Sequence, residues 1–233
     1  MPIFKPKTAL IVGAGAGLSA SLARSFANAG MHVALAARGT DKLQPLAGET
    51  GSRLFQCDVA DSASIIRLFE QVEEDVGTPD VVVYNPSARV KGPFVDLNPA
   101  DVEKAIAITA FGGFMVAQQA AKRMLPKRQG AILFTGASAS VKGYAQSAAF
   151  AMGKFALRGL AQSMARELSP QGIHVAHFVI DGSIRNTVGT DPAEGSESML
   201  DPNAIAESYL HVLQQPRSAW TWEVELRPWT EKF

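Results

Sequence analysis

The stretch Thr8–Ser19, TALIVGAGAGLS, runs from an aliphatic segment straight into three glycines. Ala9, Leu10, Ile11 and Val12 read as a buried strand, and Gly13, Gly15 and Gly17 break it. The following segment, SASLARSFANAG, is compatible with a helix ending at Gly30. Strand, glycine turn and helix in that order bring backbone N–H groups and a positive helix end up to a pyrophosphate. Glycine suits the turn because a Cβ would block either the turn or the approaching phosphate. The same string also reads as a tight turn between strand and helix with no ligand.

Outward from this unit, strand-like and helix-like segments alternate to the end of the chain. His32–Ala37 reads as a second strand ending at Arg38, with Thr40 and Asp41 capping a short helix through Gly48. Arg53–Gln56 is a third strand. A helix starting near Asp61 places Ile65, Ile66, Leu68, Phe69, Val72 and Val76 close to a 3.6-residue period. Asp80–Tyr84, DVVVY, is apolar without alternation, as a strand covered on both faces is. Residues 85–100, with three prolines and a glycine, read as a loop. Long helices follow at about 101–125 and at Ser147–Leu168, with a strand at Ala131–Thr135 between them and another at Ile173–Ile180. Residues 182–201, rich in Gly, Ser, Asp, Glu and Pro, read as a mobile substrate loop. A helix near Pro202–Leu213 and a strand at Trp222–Leu226 end the series. Repeated β-α units predict one α/β domain over residues 1–233, a doubly wound parallel sheet with right-handed crossovers.

Composition narrows the function classes. The chain has 22 Lys plus Arg against 22 Asp plus Glu, and no basic run of the kind that binds nucleic acid. No apolar run reaches membrane-spanning length, and the N-terminal MPIFKPK is too short for a signal peptide. A cytoplasmic protein acting on a small-molecule substrate is the expectation. Cys57 is the single cysteine and reads as a small buried residue. His174 and His177 stand three apart in a strand and face opposite ways, so no metal pair is expected. Trp220, Trp222 and Trp229 read as packing under the last strand or at a subunit contact, and Glu70, Glu73, Glu74 and Asp75 as a solvated acidic surface.

The whole pattern resembles the short-chain dehydrogenase/reductase family. The glycine loop is similar to that family's TGxxxGxG, with Val12 for Thr and Ser19 for the last Gly. Tyr84-Asn85-Pro86-Ser87 lies where the family has NNAG, Phe150 to Lys154 where it has YxxxK, and Asp181-Gly182 where it has Pro-Gly. The resemblance implies strand order 3-2-1-4-5-6-7, a Rossmann fold and a nicotinamide cofactor. It also implies homodimers or homotetramers built on the two long helices, although the C-terminus SAWTWEVELRPW lacks the usual glycine-rich ending.

Carried over residue by residue, the resemblance implies cofactor contacts from Gly13, Gly15, Gly17, Leu18, Asp58, Val59, Asn85, Lys154, Gly182 and Ile184. Ala37 stands where an acidic residue would receive an adenosine ribose, and Arg38 next to it suits a 2′-phosphate. NADP(H) is therefore preferred over NAD(H), unless Arg38 is a plain surface arginine. Asp58 could equally cap the following helix. For the chemistry, Ser138 matches the family's carbonyl-orienting Ser, with Ser140 the alternative, and Thr109 stands at the position of its Asn. Phe150 stands at the position of the family's acid–base Tyr and has no proton to give. Three readings stay open: hydride transfer with the proton supplied by Tyr144, water or Lys154; dinucleotide binding without turnover; or a non-redox reaction on the same scaffold.

Overall fold

The computed structural model describes residues 4–185 and 198–231. Seven parallel strands form one sheet in the order β3-β2-β1-β4-β5-β6-β7. They are β1 Thr8–Val12, β2 His32–Ala37, β3 Arg53–Gln56, β4 Val81–Tyr84, β5 Gly130–Thr135, β6 Ile173–Ile180 and β7 Glu223–Leu226. The helices between them are α1 Leu18–Asn28, α2 Gln44–Thr50, α3 Ser62–Asp75, α4 Pro99–Ile106, α5 Gly112–Met124, α6 Ala148–Leu168 and α7 Pro202–Gln214.

Period-2 geometry sends alternate side chains of one strand into opposite layers. Ala9 and Ile11 pack with Leu22 and Phe26 of α1 and with Ile205 and Tyr209 of α7. Leu10 and Val12 pack with Leu68 and Phe69 of α3, Val116 of α5 and Leu157 of α6. Because both faces are covered, the central strands lack alternation, and all four β4 residues are fully buried. Cys57 is a buried free thiol in the second layer.

Several local expectations are corrected. Thr40 makes no side-chain cap; a 3₁₀ turn at Asp41–Leu43 precedes α2, which runs through Gly48 to Thr50 and stops at Gly51 in the left-handed region. Asp58 does not cap α3: Asp61 does, its carboxylate accepting the Ala63 N–H at 2.9 Å. Glu73 is not merely solvated, since Arg123 of α5 donates to it at 2.7 Å. Trp222 precedes the last strand rather than opening it; Trp220 stacks on His174 and Trp222 lies under the Arg158 guanidinium.

The long helix expected at 101–125 starts at Pro99, capped by Asn98, and is interrupted by a π turn at Ala107–Phe111. Such a turn leaves backbone groups outside the regular ladder. Here the buried Tyr84 hydroxyl donates to the Ile108 carbonyl. The Thr109 hydroxyl accepts the Ala88 N–H at 3.0 Å, tying the turn to the loop after β4. Gly153 lets α6 pass this turn, because a Cβ there would stand 2.8 Å from Thr109 Cβ.

Candidate active site

The carboxyl ends of β1, β4, β5 and β6 converge on one side of the sheet, where open α/β folds hold ligands. At Gly13 the backbone takes φ +81°, and a Cβ would lie 2.7 Å from the Pro86 nitrogen, so only glycine fits. The Gly13 and Ala14 N–H groups both donate to Ala36 O at 2.9 Å. Ser19, buried in the first turn of α1, donates to Gly13 O at 3.0 Å and accepts from Asn85 Nδ2 at 2.8 Å. The sequence marks Ser19 only as a departure from glycine; in the structure it staples the loop to the end of β4. Among the described residues, a Cβ at Gly15 or Gly17 would meet nothing within 4 Å, which leaves room for a close ligand. Gly17 caps α1 with no side-chain bond, and the first turn carries no acidic residue. A positive helix end with no side-chain cap, under a glycine loop, fits the pyrophosphate of a dinucleotide.

Beyond the loop, Gly13, Arg38, Asp58, Val59 and Asn85 line one cleft of about 650 Å³. Arg38 is exposed and belongs to no ion pair among the described residues. The Asp58 carboxylate accepts the Ala60 N–H at 3.0 Å. The cleft shares Asn85 with a second cavity of about 590 Å³, lined by Gly17, Leu18, Phe150, Lys154, Gly182 and Ile184. Ten of the residues assigned to the cofactor by sequence therefore face one continuous groove, and Gly15 lies in the loop between them.

Lys154 is the chemical centre of the second cavity. It is 2% exposed, and its ammonium donates to Thr135 O at 2.6 Å. Burial, helped by the nearby Arg89 charge, pushes the amine down to about 7. Phe150, one helical turn earlier, presents its ring 5.9 Å from Lys154 Nζ. On that ring lies the Arg89 guanidinium, 4.2 Å from the centroid. Sequence reasoning missed Arg89, which sits in an irregular loop four residues after Asn85; no spacing rule brings it to α6.

Other expected site residues stand elsewhere. Ser138 opens a 3₁₀ turn, Ser138–Ser140, and is half-buried, but Ala137 rather than Ser138 lines the cavity. Ser140 is fully buried and its hydroxyl serves the fold, accepting the Ala137 N–H at 3.1 Å and meeting His177 Nε2 at 3.3 Å. Burial pushes His177 down to about 4, against the pull of Glu223. Thr109 is fully buried, and its hydroxyl accepts the Ala88 N–H. Tyr144 lines neither cavity: it is exposed, with its hydroxyl toward Lys142, whose amine donates to Asp181 at 3.2 Å. Ile184 bridges to Leu200 and Arg185 donates to Asp201 at 2.8 Å, which pins the two stems of the 182–201 segment together. The expected lid itself, 186–197, lies outside the described residues. Among the described residues there is no His, Cys, Asp or Glu cluster suited to a metal, and no helix long and apolar enough to cross a membrane.

The chain as a whole has similar counterparts among known proteins. A sequence model of short chain dehydrogenases matches residues 7–191. A D-threitol dehydrogenase of Mycolicibacterium smegmatis is 32% identical over 174 residues, covering 72% of this chain and 67% of that protein. A short-chain dehydrogenase structure from Rhodopseudomonas palustris is 35% identical with a TM-score of 0.83, covering 96% of this chain and 99% of that one. A metagenomic short-chain oxidoreductase solved in complex with NADP is 25% identical with a TM-score of 0.83, covering 97% and 98%.

Proposed function

The chain belongs to the short-chain dehydrogenase/reductase family of NAD(P)-dependent oxidoreductases, and from that premise we propose that it is an NADP(H)-dependent enzyme interconverting a small carbonyl compound and its alcohol, with Lys154 as the proton source. When bound, the nicotinamide supplies or accepts the hydride. Gly13, Gly15, Gly17 and the α1 end hold the phosphates, and Asp58, Val59 and Asn85 the adenosine half. Arg38, exposed at the end of β2, offers its guanidinium to a 2′-phosphate.

The observation that carries the reading is Lys154, which lines the cavity with its amine anchored on Thr135 O at 2.6 Å; burial lowers that amine to about 7. A donor is most effective when its pKa lies close to the working pH. In reduction, the Lys154 ammonium gives one proton to the carbonyl oxygen and is recharged from solvent. Tyr144, exposed and outside the cavity, is set aside as a donor. A second reading, dinucleotide binding without turnover, is favoured by Phe150, which offers no hydroxyl where the family resemblance places one. The single unpaired cysteine fits a cytoplasmic setting.

Fluorescence titration with NADPH and NADH tests the cofactor assignment. NADPH is expected to bind about tenfold tighter, and Arg38→Gln to bring the two affinities within about threefold of each other. Binding of neither dinucleotide would sink both readings.

We further propose that two copies associate through the helices flanking the groove. Phe111 and Phe114 stack on each other and, with Met152 and Phe155 of α6, are 40–52% exposed. Apolar rings clustered on a surface are costly to leave in water. A Phe114→Glu, Phe155→Glu double variant is expected to elute as a monomer under light-scattering detection while the parent elutes as a dimer or tetramer. A monomeric parent would overturn the interface.

A further inference from the structure

We propose that the cavity beside Lys154 takes an anionic carbonyl compound, a 2-oxo acid in its simplest form, with Arg89 gripping the carboxylate. This rests on the oxidoreductase reading and names the substrate class of that same site. Among the described residues, the cavity is lined by three basic side chains, Arg89, Lys154 and Arg185, and by no acidic one. Arg185 is matched by Asp201 at 2.8 Å. Among the described residues, no carboxylate pairs with Arg89 or Lys154; the Lys154 ammonium meets only the Thr135 carbonyl. Two basic groups thus approach the same Phe150 ring, at 4.2 and 5.9 Å from its centroid, with no carboxylate of the described residues paired to either to offset the repulsion of their charged forms.

The geometry also suits recognition. A guanidinium lying over an aromatic face keeps its N–H donors at its edge, free for a two-pronged grip on a planar carboxylate. Phe150 is 7% exposed and locked in α6, so it holds the guanidinium beside Lys154 without competing for hydrogen bonds. A carboxylate on Arg89 places the adjacent keto group toward Lys154. It also favours the charged amine, so the bound substrate keeps its own proton donor loaded.

Calorimetric titration of phenylglyoxylate and of its methyl ester, onto protein saturated with NADP⁺, tests this without turnover. The acid is expected to bind about tenfold tighter than the ester, as a charge-assisted pair implies. Arg89→Met is expected to abolish that preference, and Arg89→Lys to retain part of it. Equal affinity of the parent for acid and ester would overturn the proposal. So would an Arg89→Met variant that keeps the preference, or one that loses NADP⁺ affinity instead, which would assign Arg89 to the cofactor phosphates. If NADP⁺ does not bind, the oxidoreductase reading fails separately. The same titration of the protein alone then decides the anion site: a preference for the acid lost in Arg89→Met supports it, and no preference overturns it.

Discussion

Lys154→Met is expected to lower turnover by about 10²–10⁴-fold, the span that a positioned general acid supplies, while raising the melting temperature. Lys154 is 2% exposed, and burial takes its amine from the ordinary lysine range to about 7. Carbonyl reduction by the parent should therefore be highest below pH 7 and fall as pH rises through that value, where the ammonium gives up its proton. The variant should show only a flat residue of activity across the same range. Stability follows from the same shift. Between about pH 7 and 10.5 the unfolded chain holds more protons on this amine than the folded chain, so stability rises with pH across that window. Below it, the folded protein carries a buried charge whose one hydrogen bond goes to Thr135. Methionine fills much the same volume with no charge, so the variant should melt higher at pH 7 than the parent. A pH–rate profile and a melting curve on the same preparation check both halves. A variant that melts higher yet turns over like the parent would remove Lys154 as the proton source.

Phe150→Tyr is expected to raise carbonyl reduction by about 10²-fold. It places a hydroxyl on the ring already 5.9 Å from Lys154 Nζ, on the same helix face one turn away. Steady-state kinetics of parent and variant on one reactive carbonyl check it. A slow parent and a faster variant fit an enzyme working with a lysine donor. A silent parent and an active variant fit a dinucleotide-binding protein whose catalytic hydroxyl is absent. No gain in the variant would mean that substrate does not reach the Phe150 ring at all.

Much of the architecture was legible along the chain because its signals are local. β4 reads as a covered strand from DVVVY alone, since a strand buried on both faces has no polar register to keep. Gly13 reads as a turn because positive φ is a property of one residue and its immediate neighbours. The sheet order of the seven strands follows the expectation drawn from the family resemblance. Helix boundaries were less legible where a tertiary contact shifted them. The π turn at 107–111 is held by bonds from Tyr84 and Ala88, elsewhere in the chain. At the start of α3 the ambiguity is local: of two nearby aspartates, Asp61 caps the helix and Asp58 bonds the Ala60 N–H instead.

The sequence by itself determined the strand–glycine–helix unit, the covered sheet and the one-turn spacing of Phe150 and Lys154, because each depends on residues a few positions apart. Tertiary structure decided which hydroxyls face the groove and which are spent on the fold, since Ser140, Thr109 and Ser19 bond to partners distant in sequence. It also decided the cation that meets Phe150: Arg89 and Phe150 are 61 residues apart and are joined only where the loop after β4 folds over the start of α6. A charge on an irregular loop has no periodicity to read, and its position becomes fixed only when the packed strands and helices bring it against a ring.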